Sequence, residues 1–549
     1  MADVSEIIKA LGEFGRFQYW LLVWVTLSSI SIAFHMFGQL FMVAQELHYC
    51  NTDWFISLGL NLTEEERLNL TLPTKVDGTF EECFMYAPVE WDLDTIVRHG
   101  LNVTEKCQNG WVYPAKKDPS LLTQFDLVCD RKDLKNISQS IYMLGLLVGS
   151  MVFGPLSDRF GRRPIILLCM LLEGTSGVAT AFVPNIYLYS AFRFLVGGAI
   201  SGIGISLLAL GAEWVGISHR PFMVIINHAA FSVGQMILAG LAYAVRDWKF
   251  LQVSISTPIF ALCFFLWTLP ESARWLVTKG KVEEAKILLR KAAAVNKRTL
   301  SPELLDQLKP EKKNESESIL ELFGNPHLRK RVLVMSSIWF ANSLAYYGLS
   351  LNVGSFGLDI YLAQFVFGAA ELPGRITTLF LVQWLGRRKC QAFCLLLGGV
   401  ACLLITVIPK DLPVITTVLA IIGKFTISSS FTVSFVYSAE LFPTVVRQTG
   451  IGLCQMAARL GGIISPLAHL LEKHHASFPI LMFASTAIVG GTLSFLLPET
   501  RGLELPDHIE DVVAKSNGPR KTVSRNLENG CLNQKEDNHL SERAKTTYL

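Results

Sequence analysis

An all-α membrane protein, with about twelve spanning helices in two six-helix halves, is the fold class predicted by three observations. These are an apolar composition, many charge-free runs of bilayer length, and paired signatures at a nearly constant offset. Of 549 residues, 51% are apolar and only 17% charged, below the roughly 25% charge of soluble domains. The net charge of +3 and the short basic clusters leave no electrostatic footprint for nucleic acid. Membrane lipid is the expected partner of much of the surface.

A helix crosses the hydrocarbon in about 20 residues. Runs free of Asp, Glu, Lys and Arg occur at 17–45, 136–157, 174–192, 194–212, 221–245, 250–270, 332–358, 390–409 and 474–498. Apolar stretches near 359–383, 412–438 and 441–471, each interrupted by a few ionisable residues, complete about twelve spans. The opening MADVSEIIKALGEFGRF lacks the basic, apolar and small-residue segments of a cleaved signal, so the first span is expected to act as an uncleaved anchor. Arg159, Arg162 and Arg163, the 271–331 segment, and Arg387, Arg388 and Lys389 should be cytoplasmic, which puts both termini inside. The domain order is then a cytoplasmic N-terminus (1–16), a first span (17–45), an extracellular loop (46–135), spans two to six (136–270), a cytoplasmic linker (271–331), spans seven to twelve (332–498) and a cytoplasmic tail (499–549).

The loop carries Cys50, Cys83, Cys107 and Cys129, enough for two disulfides in any of three connectivities on the oxidising side of the membrane. Its sequons at Asn61, Asn69 and Asn102 are expected glycosylation sites. Sequons at Asn136, against the second span, and at Asn314, in a cytoplasmic segment, are discounted. Cys169, Cys263, Cys390, Cys394, Cys402 and Cys454 lie in or beside apolar runs and read as small buried hydrophobes.

The repeat is visible in three pairs of motifs. GRR at 161–163 recurs at 386–388, Ala-Glu with Arg seven residues on recurs as Glu213/Arg220 and Glu440/Arg447, and PES at 270–272 recurs as PET at 498–500. The offsets are 225, 227 and 228 residues. Parallel repeats of this kind build transporters with a central site between the halves. In the linker, 281–298 places Val282, Ala285, Leu288, Leu289, Ala292 and Val295 at helical spacing, which predicts an amphipathic helix under the bundle. Past Pro506 the polar tail is expected to be disordered. Its Thr547-Tyr548-Leu549 end suits strand addition to a PDZ scaffold, with a partnerless end as the alternative.

GPLSDRFGRR at 154–163 resembles the loop motif of the major facilitator superfamily. PESARWL at 270–276, AELFPTVVRQTG at 439–450, PETRG at 498–502 and the cysteine-bearing first loop resemble solute carrier family 22, the organic cation, anion and zwitterion transporters. GEFGRFQ at 12–18, YYGLSL at 346–351 and FGLDIYLAQFVFGAAELPGR at 356–375 resemble its organic anion branch, nearest to the members that exchange urate and nicotinate. The resemblance spans about 10–505 and implies the major facilitator fold, a plasma-membrane location and a monomeric transport unit.

Asp158, Arg159, Arg162 and Arg163 sit where two helices meet the cytoplasm, and charge pairs there would lock an inner gate. Glu213 with Arg220, and Glu440 with Arg447, read the same way. The alternative, mere positive-inside bias, explains the arginines but not the acids. The second GRR has Gln383 and Trp384 in the region of Asp158, so its gate is expected to be weaker.

Ionisable residues within spans cost roughly 2.5–3.5 kcal/mol each and need a reason. The deep cations are Arg193, Arg375, Lys424 and Arg459, with Glu173, Glu371, His35, His228 and His469. Glu371 and Arg375, four apart, can pair along one helix face. Arg459 has no acid three or four residues away, and its planar guanidinium suits a carboxylate or urate. The resemblance implies that Arg459 selects anions where cation carriers hold Asp, and that Arg375 matches a cation of the anion branch. Arg193 matches a general superfamily arginine with a structural or coupling role. Tyr346, Tyr347, Phe431 and Phe231 match substrate-facing aromatics, with Trp339 and Phe435 weaker. His35 and Gln39 match cavity positions, with a satisfied interior histidine the alternative for His35, whereas Met36 and Leu40 depart from polar residues common there. Flat anions stack on such rings; lipid-facing packing is the alternative for any one Phe.

The predicted function is secondary active transport of small organic anions, urate and nicotinate among them, exchanged for a counter-anion by alternating access. No cofactor or metal is implied. A P-loop, GxSxG and HExxH are all absent, against a pump or an enzyme. The rivals are an organic cation or carnitine carrier of the same family, and a non-transporting sensor or adhesion protein using the glycosylated loop.

Overall fold

The computed structural model describes residues 4–502 apart from 44–45, 57–61, 76–77, 115–118, 217–218, 309–318, 357, 410–411, 444–445 and 476. The Asn61 sequon and the Thr547–Leu549 scaffold motif therefore lie outside the described residues. Twelve helices among those described are long and apolar enough to cross a membrane. They are α1 (Arg16–Met42), α2 (Leu134–Phe160), α3 (Arg162–Ala179), α4 (Ile186–Trp214), α5 (Arg220–Ala244), α6 (Trp248–Phe265), α7 (Pro326–Leu351), α8 (Ile360–Leu385), α9 (Arg387–Val407), α10 (Pro413–Leu441), α11 (Arg447–Ala468) and α12 (Phe478–Leu493).

Two of these differ from the charge-free runs. The 174–192 run crosses the turn between α3 and α4, because each helix carries one ionisable residue, Glu173 or Arg193, in its interior. Both side chains are buried, so the charges that ended the runs do not end the helices.

Within the first half α2 packs closely on α4, and small residues permit it. A Cβ added at Gly145 or Gly197 would run into the backbone carbonyl of Phe194 or Tyr142 on the facing helix. The halves meet along α2 with α11 and α5 with α8. Ser140 Oγ donates to Ile463 O at 3.0 Å, and a Cβ on Gly368 of α8 would press on Ser232 O of α5. At the end near the 46–135 segment, Tyr361 of α8 stacks on Phe41 of α1 with centroids 5.4 Å apart and meets Tyr243 of α5 edge-on at 5.8 Å. Arg246 lies 4.6 Å over the same ring.

The 46–135 segment holds two short antiparallel ribbons, β1 (Tyr49–Cys50) with β4 (Trp111–Val112), and β2 (Phe84–Tyr86) with β3 (Thr104–Lys106). Disulfides Cys50–Cys107 and Cys83–Cys129 tie them, selecting one of the three connectivities. Asn69 and Asn102 are exposed there. The six other described cysteines are unbridged and buried. In the linker, helix Val282–Val295 buries Ala285, Leu289 and Ala292. That face shares a core with Val4, Ile7 and Ile8 of the N-terminal helix Val4–Ala10 and with Leu11 just beyond it. Val295, predicted on the apolar face, is 48% exposed because it is the last helical residue.

Candidate functional site

The polar centre of the second half is built on Glu371 of α8, which has no exposed surface. Each of its oxygens takes one cation and one hydroxyl. Oε1 meets Lys424 Nζ at 2.8 Å and accepts from Tyr346 at 2.7 Å. Oε2 accepts from Arg375 Nη2 and from Ser232 Oγ, both at 2.8 Å. Lys424 also donates to Ser350 Oγ and sits 3.4 Å over the Tyr346 ring. A carboxylate is tolerated in such a place only when paired and hydrogen-bonded. Arg375, expected to contact substrate, is thus bound to Glu371 here, while its Nε has no partner among the described residues. Lys424 was not a predicted site residue; its partner lies on another helix, beyond the reach of local spacing.

The first half has a different core. Arg193 of α4 donates to His35 O at 3.0 Å and Gln139 Oε1 at 3.2 Å, with its guanidinium 4.1 Å over the Tyr142 ring. His35 Nε2 stands 3.6 Å from Glu173 Oε1, both side chains without exposed surface. His35 therefore sits within the helix packing. Gln39, one turn on, borders a separate cavity near the 46–135 segment.

Between the halves the predicted aromatic residues come together. Trp339 meets Phe435 at 4.6 Å and Phe431 at 6.0 Å, and Tyr346 meets Phe431 at 5.4 Å and Tyr347 at 5.3 Å, all edge-to-face. His228 of α5 reaches across to Phe435 of α10 at 5.2 Å, and Phe231 meets Phe37 at 6.0 Å. Trp339 Nε1 is held by Ser438 Oγ at 2.9 Å, which fixes the ring. Arg459 of α11 is half-buried and has no ion-pair or hydrogen-bond partner among the described residues. Gly462, one turn beyond it, faces the Tyr347 ring. The result is an aromatic-walled region with one uncommitted guanidinium, the chemistry of a flat anion site.

The repeated signatures form matching networks at the far end. Arg162 meets Glu213 at 2.9 Å and Asp158 at 2.6 Å; Arg387 meets Glu440 at 2.7 Å. This corrects the pairing expected from spacing: Arg220 Nε donates instead to Ala212 O, and Arg447 Nε to Phe442 O. The arginine opening α3 or α9 points across to the acid ending α4 or α10. Glu271 accepts from the backbone N–H groups of Arg162 and Arg163, and Glu499 from those of Arg387 and Arg388. The third repeated motif is thus a carboxylate cap on a helix N-terminus. Arg159 is exposed over the Phe160 ring, and Arg163 reaches Trp267 O. Each of these contacts stays within one half.

The family described as "Sugar (and other) transporter" matches residues 86–511. The human protein named solute carrier family 22 member 13 is 48% identical over 93% of each chain. Organic anion transporter 3 of Pongo abelii is 38% identical, covering 92% of this chain and 93% of its own. Solute carrier family 22 member 6 of Oryctolagus cuniculus is 37% identical, covering 94% and 96%. The E. coli xylose transporter XylE, inward open, superposes with a TM-score of 0.60 at 16% identity over 89% of this chain and 98% of that one, a likeness of fold.

Proposed function

Since the chain belongs to solute carrier family 22 of the major facilitator superfamily, whose members are membrane transporters and not enzymes, we propose that its cargo is a small organic anion. Flat aromatic monocarboxylates such as nicotinate, and urate, suit the site, and one relative is named an organic anion transporter. The observation that carries the reading is Arg459, the half-buried guanidinium without a bonded partner among the described residues, on α11 one turn before Gly462, which faces the Tyr347 ring. It forms two parallel charge-assisted bonds to a carboxylate, while the rings cover its face. A cation carrier would need a free acid there, and Glu371 is already engaged by Lys424 and Arg375.

Both termini face the cytoplasm and the disulfide-tied segment faces outward in this reading, at the plasma membrane. The halves rock about the central site, and uptake against a negative interior runs by exchange, because one net charge across 100 mV involves about 2.3 kcal/mol. The test is uptake of labelled urate, nicotinate and a bulky aromatic anion by cells expressing the chain. Arg459→Gln should abolish uptake at unchanged surface abundance. Uptake that survives both Arg459→Gln and Arg459→Asp would refute an anion site at this position.

A further inference from the structure

Resting on the organic-anion reading above, we propose a second, outer binding site for the same anions, in the cavity at the end of the bundle near the disulfide-tied segment, with Lys135 as its charged contact. This cavity of about 460 Å³ lies between the halves and is bordered by Gln39 of α1, Lys135 and Gln139 of α2, Asn352 beyond α7, and His469 and Glu472 beyond α11. Its volume falls in the range of about 300–1,000 Å³ typical of small-molecule sites. A second cleft of about 750 Å³, within the disulfide-tied segment, has Lys135 in its wall too. Lys135 therefore stands where the two spaces adjoin.

The charges leave this ammonium uncommitted. Glu472 is held by His469 Nδ1 at 2.5 Å, and Lys106 of the adjoining cleft is held by Asp130 at 2.8 Å. Lys135 feels Glu472, Lys132 and Asp133 without an ion pair to any of them. Gln39 beside it is 5% exposed and donates its Nε2 to Lys135 O, while its Oε1 has no partner. That oxygen only accepts, so it is completed by an N–H on the ligand, as urate carries, while the ligand's anionic oxygens turn to the Lys135 ammonium. Gln139, held by Arg193, borders the cavity, and the Ser140–Ile463 contact falls on α11 between Pro466, which also borders it, and Arg459, one turn further along. An anion arriving from this end meets the Lys135 ammonium first and passes inward when α2 and α11 part.

The test uses the full chain in proteoliposomes with labelled nicotinate as the probe. Lys135→Gln is expected to raise the KM for uptake about fivefold with little change in maximal rate, and Lys135→Arg to restore it. In a second arm, Val43→Cys, which borders the same cavity and leaves Lys135 in place, is labelled with a membrane-impermeant anionic thiosulfonate, the other described free thiols being buried. Nicotinate should slow this labelling, and should still do so in the Arg459→Gln background, where the central contact is gone. An unchanged KM in Lys135→Gln, or protection that disappears with Arg459→Gln, overturns the outer site while leaving the central one standing. Absence of nicotinate uptake by the unaltered chain, with no protection of Val43→Cys, overturns both readings.

Discussion

Four partners divide evenly between the two oxygens of Glu371, and two of them are cations, so the cluster carries one net positive charge inside the second half. Removing the acid alone leaves Lys424 and Arg375 facing each other without an anion. Breaking a buried pair in this way costs about 3–5 kcal/mol. Glu371→Gln is therefore expected to lower surface abundance sharply, and Lys424→Met in the same chain to recover much of it by restoring the net charge. Equal loss in the single and double variants, measured by surface biotinylation, would show that charge balance is not what holds the cluster. The Glu371–Arg375 pair was legible in the sequence because it lies on one helix face at four-residue spacing. Lys424, 53 residues on, was legible only as an unexplained deep cation, since nothing in a linear sequence says which faces of α8 and α10 meet. The same limit applied to Arg162 and Glu213, whose residue types and repeat were read correctly but whose pairing spans two helix ends.

At the scale of the element, α3 and α9 begin alike. Gly161 and Gly386 hold φ of +109° and +84°, a region costly to a residue with a Cβ. A Cβ there would also collide with the capping carboxylate, Glu271 or Glu499. Glycine is needed twice over, for the turn and for the cap. The two brace points differ in strength: Arg162 draws in Asp158 and Glu213, whereas Arg387 bonds Glu440. Asp158 is 74% exposed and adds little on its own; the part-buried Glu213 and Glu440 pairs carry most of the effect. Arg162→Gln and Arg387→Gln are each expected to lower the melting temperature in detergent, by about 2–4 °C for each kcal/mol lost, with Arg162→Gln at least as damaging. A larger drop for Arg387→Gln would reverse the order that the contacts imply. Helix number and most helix bounds could be read from hydropathy alone. The bounds of α3 and α4 could not, because Glu173 and Arg193 look like helix ends until their burial among neighbouring helices is seen.

Across the whole molecule, the described contacts between halves gather at the middle and toward the disulfide-tied segment, so the structure is closed at that end. Exchange by rocking requires that closure to be reversible, and two outcomes follow. Vesicles preloaded with an unlabelled monocarboxylate should take up labelled nicotinate faster than empty ones, because a loaded carrier returns more readily; equal rates would rule out obligatory exchange. The closure itself concentrates on Tyr361, which stacks on Phe41, meets Tyr243 edge-on and lies under Arg246. Aromatic pairs contribute about 0.5–1.5 kcal/mol each, and an exposed cation–π contact about 0.5–1 kcal/mol. Tyr361→Ala therefore removes on the order of 2–3 kcal/mol from the closed state, enough to shift an open-to-closed ratio by about thirtyfold or more. The variant should make Val43→Cys react faster with an impermeant thiosulfonate and transport more slowly, since a carrier biased toward one state spends longer completing each cycle. Unchanged labelling with normal transport would mean that the end is held shut elsewhere, by α2 on α11, leaving Tyr361 a packing residue without control over access.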